Sequence, residues 1–131
     1  MPKVCQHEAR LEAVRNGVRS LESQLGHCRS DGFCASGTEF KSLLIAGVVY
    51  QFRFVLMDCR SMIWWRLSDC FGVTAVSELS LDGLFRLAAK EGLISDLNCW
   101  LEYFELLDGN VLRIFERVPV FVEFLRKEKL A

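Results

Sequence analysis

The sequence predicts an all-α protein, an up-and-down bundle of four to five helices with a long apolar second helix, in one domain over residues 1–131. Three observations lead there. Apolar residues recur at spacings of three and four in segment after segment, the period of one helix face. Short turns rich in Gly, Ser, Asp or Asn separate those segments. The chain holds only two prolines, and 51% of it is hydrophobic. A chain of 131 residues buries roughly two-thirds of the surface its unfolded form exposes, enough for a core without staples. The apolar fraction excludes a disordered chain. With 16 Lys+Arg against 17 Asp+Glu, a strongly basic nucleic-acid binder is excluded too.

In the first segment Leu11, Val14, Val18, Leu21 and Leu25 form one seam, predicting a helix over about Glu8 to Gly26. Glu12–Arg15 and Arg19–Glu22 are three apart and placed to pair weakly in solvent. Residues 29–37 read as a loop. Ser36 and Glu39 then have the spacing of a capping box. The second helix is expected from about Thr38 to Asp69, with only Gly47 inside it and a core, LLIAGVVYQFRFVLM, that is apolar nearly all round. That run is shorter than the roughly 20 apolar residues a membrane span needs, and Gln51 and Arg53 interrupt it, so no membrane crossing is expected. At roughly 45 Å, this helix outruns what a compact domain of this size needs, which points to a partner chain.

A break is expected at residues 71–76, around Gly72. Ser80 opens a third helix with Leu84, Phe85 and Ala88 inward, and Gly92 ends it. Ser95 or Asp96 caps a fourth, with Leu97, Trp100, Leu101, Phe104 and Leu107 as its apolar positions. Asp108-Gly109-Asn110 is a turn. The fifth, from about Val111 to Lys129, turns Ile114, Phe115, Val118, Phe121, Val122 and Leu125 inward, with Pro119 expected to kink or divide it.

No catalytic motif emerges. The sequence has no G-x-x-x-x-G-K, H-E-x-x-H or G-x-S-x-G. Its two histidines, His7 and His27, lie near the N-terminus, so the commonest general base is scarce. Six cysteines (Cys5, Cys28, Cys34, Cys59, Cys70 and Cys99) include no C-x-x-C pair. His27-Cys28 with Cys34 makes at most half a metal site, because four-coordinate zinc needs two more converging ligands. No metal or other cofactor is expected. The opening MPKVCQHEARLEAVR has no apolar run of a signal peptide, so a reduced, cytoplasmic protein is expected. Arg53, Arg60 and Arg66 are read as partners of Asp58 or Asp69, and Trp64-Trp65 as core and interface instead of a stacking platform.

Residues 80–104, SLDGLFRLAAKEGLISDLNCWLEYF, resemble the prokaryotic HEPN-domain family of nucleotidyltransferase substrate-binding proteins. The resemblance rests on Ser80, Phe85, Ala88, Gly92-Leu93-Ile94, Asp96 and Trp100-Leu101-Glu102. In that family a capped helix ends in a Gly-Leu-Ile turn, and an acidic cap precedes a helix opening on Trp-Leu-Glu/Asp. Weaker likeness extends through Phe52, Phe54 and Leu56 and to Val118-Pro119. The chain departs from the family where its ribonuclease members carry Arg-Asn and, four residues on, His. Those positions are Leu107, Asp108 and Leu112 here. Leucine can neither carry a proton nor hold a phosphate, so a ribonuclease of that type is not expected.

The resemblance thus implies a non-catalytic binding protein, the partner or substrate-binding subunit of a small nucleotidyltransferase in a toxin–antitoxin-like pair. A possible nucleotide ligand would meet a groove around Trp100, Glu102, Asp108, Asn110 and Arg113. A homodimer is expected through Val49, Phe52, Leu56 and Ile63 of the long helix. Two alternatives stand beside this reading. One is a structural dimer without ligand. The other is a residual RNA- or nucleotide-processing activity on Asp108, Asn110 and Arg113.

Overall fold

The computed structural model describes residues 3–29, 32 and 37–130, and among them it shows six helices and no strand. They are α1 (Lys3–Cys28), α2 (Thr38–Phe71), α3 (Val73–Ser77), α4 (Leu81–Lys90), α5 (Leu97–Leu106) and α6 (Val111–Lys127). The all-α helical bundle predicted from periodicity is therefore what the chain forms. The count exceeds expectation by α3, a single turn in the segment read as a break. Five residues are too few to carry a recognisable period.

The first seam is buried as its spacing requires: Val14, Val18, Leu21 and Leu25 lie in the core, with Leu11 packed against it. They meet α2 along most of the length of α1. Gly17 sets how close the two helices come. A Cβ there would lie 2.8 Å from Val55 Cγ2, so any larger residue collides with a stiff, β-branched side chain. The same approach lets Gln51 Nε2 donate to the Gly17 carbonyl at 3.4 Å. Glu12 does meet Arg15, at 3.8 Å. The expected Arg19–Glu22 pair gives way to other partners. Arg19 reaches Glu12 at 3.6 Å, and Glu22 pairs across to Arg126 of α6 at 2.5 Å.

Helix α2 is the spine. It starts at Thr38 with Gly37 in the cap position and no side-chain cap bond, and Ser36 of the expected capping box lies outside the described residues. It stops where Gly72 takes φ +88° and its N–H returns to the Ser68 carbonyl, a left-handed backbone that only glycine adopts readily. One face of α2 is fully buried by α1, α6 and α4. That face includes Val49, Phe52, Leu56 and Ile63, whose exposures of 3%, 0%, 0% and 1% correct the expected dimer contacts. They already fill the chain's own core and present nothing to a partner. The large apolar residues of α2 that do face outward include Phe40, Leu43, Tyr50, Phe54 and Met57 along one stripe, with Phe71 at the helix end. By length and composition alone α2 is long and apolar enough to cross a membrane, a property the core helix of a soluble bundle shares, and a third of its most apolar stretch is buried inside the bundle.

The remaining helices begin where their caps dictate. Ser80 Oγ accepts from the Gly83 N–H at 3.1 Å, Asp96 Oδ1 from Cys99 N–H at 3.2 Å, and Asn110 Oδ1 from Arg113 N–H at 2.9 Å. Each satisfies one orphan donor of a first helical turn. Helix α6 runs undivided through Pro119. Its last turn leads to Glu128, whose carboxylate accepts from Ser95 N–H, Ser95 Oγ and Asp96 N–H. That carboxylate ties the end of α6 to the start of α5. Inside, an aromatic cluster joins four helices: Phe52 stacks edge-on against Phe121 at 4.8 Å, Tyr103 meets Phe121 at 4.9 Å, and Trp100 lies between Phe85 and Phe124. Each such pair adds about 0.5–1.5 kcal/mol beyond its area burial.

Candidate functional site

The turn after α5 bends the chain back within four residues. The amides of Leu107, Asp108 and Gly109 donate in succession to the carbonyls of Phe104, Glu105 and Leu106. Asn110 then caps α6, so α5 and α6 leave the turn as neighbours with a cleft between them. The cleft has a volume of about 330 Å³ and is lined by Glu102, Tyr103, Glu105, Leu106, Gly109, Arg113 and Arg117. That volume sits at the low end of the range in which small-molecule sites fall.

Its chemistry comes from two helix registers. Glu102 and Glu105, three apart on α5, and Arg113 and Arg117, four apart on α6, each present one side to the cleft. The buried ring of Tyr103 floors it, with the Arg117 guanidinium 5.7 Å from the ring centroid. Burial pushes the Tyr103 phenol up, and the Arg117 charge partly opposes that shift. Cys99, one turn before Tyr103, is also raised by burial, helped by Asp96. Neither a thiolate nor a phenolate is therefore favoured there at neutral pH. Two cations and two carboxylates around an aromatic floor make a surface for recognition: arginine forks for phosphate or carboxylate, glutamates for hydroxyl or amino donors.

The expected groove residues separate. Glu102 and Arg113 line the cleft. Asp108 is exposed on the turn outside the lining. Asn110 spends its side-chain oxygen on the α6 cap. Trp100 is fully buried, which corrects its place in the groove: the ring belongs to the aromatic cluster, where a ligand cannot reach it. Of the positions corresponding to the ribonuclease motif, Leu107 packs against the core and Leu112 is 60% exposed. Tyr103, Glu105 and Arg117 were missed. The Arg113–Arg117 and Glu102–Glu105 spacings were the signal that could have found the two charged ones.

Elsewhere, Trp64 and Trp65 touch edge to face at 5.0 Å, and Arg10 lies 4.7 Å from the Trp65 centroid. Among the described residues no ion pair joins Arg53, Arg60 or Arg66 to Asp58. No group of three or more metal-ligating side chains occurs among the described residues; Cys34, in the half-site read from the sequence, lies outside them. No family model, no curated protein and no solved structure matches the chain.

Proposed function

We propose that the chain is a helical binding protein that presents a nucleotide-like substrate to a separate small nucleotidyltransferase, and does no chemistry itself. The observation that carries this reading is the mixed-charge cleft between α5 and α6. A nucleotide offers phosphates to Arg113 and Arg117, and ribose hydroxyls or an exocyclic amine to Glu102 and Glu105, over the Tyr103 ring. The resemblance of residues 80–104 to nucleotidyltransferase substrate-binding proteins supports the same class, since that stretch includes Glu102 and Tyr103, which line the cleft. Binding on a cleft open to solvent leaves the reacting phosphate accessible to a second protein, as presentation requires.

Calorimetric titration with ATP, and with other ribonucleotides in parallel, tests the reading. Binding heat is expected, and Arg113→Ala or Arg117→Ala should weaken affinity by about tenfold or more, the scale of a charge-assisted hydrogen bond. Absence of heat with every nucleotide, or binding that both arginine variants leave intact, would overturn it.

A further inference from the structure

The outward face of α2 has a regularity that the bundle does not use. Phe40, Leu43, Gly47, Tyr50, Phe54, Met57, Ser61 and Trp64 follow one another at spacings of three and four, the seam of a two-helix coiled coil. Five of them are large apolar residues left substantially exposed: Phe40 51%, Leu43 72%, Tyr50 63%, Phe54 49% and Met57 42%. Their exposed area is on the order of 500 Å², at the top of the range of patches that ordinary monomers leave in water. With its polar flanks the stripe approaches the roughly 800 Å² per partner of a standard interface.

We infer that this stripe is covered by the same stripe of a second copy of the chain, running antiparallel. Residue sizes select that direction. Placing the twofold axis between Val48 and Val49 sets Phe40 against Met57 of the other copy, Leu43 against Phe54, and Gly47 against Tyr50. The largest exposed ring then enters the gap over Gly47, where nothing among the described residues lies within 4 Å of a Cβ position. A parallel pair would oppose Gly47 to Gly47 and Tyr50 to Tyr50, leaving a void beside a collision. Charge agrees with the antiparallel register. Glu39 and Arg60 lie on the same flank of the stripe, and the register brings Glu39 of each copy beside Arg60 of the other. Neither has an ion-pair partner among the described residues. The flanks carry Glu39 and Asp58 as well as Arg53 and Arg60, unlike the basic margin of a helix that lies on lipid. This inference is independent of the nucleotide reading, since the stripe and the α5–α6 cleft share no residue.

Sedimentation equilibrium on the full chain tests it. The wild type is expected as a dimer of the 15.0 kDa chain. Glu39→Arg and Arg60→Glu should each raise the dissociation constant about tenfold, two repelling pairs replacing two attracting ones, and the double reversal should restore it. Mixing Leu43→Cys with Phe54→Cys under mild oxidation should give mainly the mixed disulfide, located by peptide mapping. A monomer at all concentrations, a dimer indifferent to the charge reversals, or disulfides formed mainly within each single variant would overturn the inference. So would a monomer that floats with anionic vesicles.

Discussion

Replacing Gly17 by alanine sets two opposed terms against each other on the α1–α2 contact. Alanine in a helix interior is favoured over glycine by about 1 kcal/mol. Against that gain, the new Cβ would lie 2.8 Å from Val55 Cγ2, well inside ordinary contact. Val55 is fully buried and its rotamer is stiff, so the helices themselves must part by several tenths of an ångström. Overpacking of this kind costs about 1–3 kcal/mol, and separation also stretches the Gln51–Gly17 hydrogen bond, already 3.4 Å long. The net expectation is a loss of about 1 kcal/mol. Urea denaturation followed by far-ultraviolet circular dichroism measures it. Gly26→Ala, whose Cβ would meet nothing within 4 Å among the described residues, serves as the control and should be neutral or stabilising. The cycle with Val55→Ala isolates the cause: once the methyl is gone, Gly17→Ala should gain stability by up to about 1 kcal/mol. If Gly17→Ala matches or exceeds the wild type, or if its effect is the same in the Val55→Ala background, close approach is not what Gly17 provides.

Two further outcomes follow from the same structure. Ser68 is buried and its Oγ has no hydrogen-bond partner among the described residues, so Ser68→Ala should raise stability by about 0.5–1.5 kcal/mol, read as a higher denaturation midpoint with unchanged slope. Asp96 has its pKa lowered by the hydrogen bond from the Cys99 amide. Its contribution is then complete above the unfolded aspartate value, about 3.9, and lost as pH falls through the lower folded value. Stability compared with Asp96→Ala across pH 2 to 7 should show a deficit that closes at the acid end, roughly below pH 4; a constant deficit would remove Asp96 as a charged cap.

The sequence reading succeeded where one physical signal stood alone. The α1 seam has a single apolar face, so its spacing told which residues go inward. Ser80 was legible as a cap, and Asp96 as one of two candidates with Ser95, because such side chains serve donors a few residues away. Helix α2 defeated the same logic. Being apolar nearly all round, it has no preferred inward face until α1, α4 and α6 choose one, and they chose Val49, Phe52, Leu56 and Ile63. The role of Gly17 depends on Val55 across the helix pair, information no local window contains. Of the expected groove residues, Glu102 and Arg113 line the cleft, whereas Trp100 lies in the core, because its α5 position reads equally as core or groove. Arg117 was signalled in the sequence only by its four-residue spacing from Arg113, and Tyr103 became visible only once the turn at 107–110 had folded α6 back beside α5.

Whether the chain binds a substrate and presents it to a transferase turns on its partner. Co-expression with the reading frame beside its gene, followed by affinity purification and size-exclusion chromatography, asks whether a small nucleotidyltransferase travels with it. A transferase is expected to co-elute in fixed proportion. A transferase that is soluble yet elutes separately, or a neighbouring frame that encodes none, would contradict it.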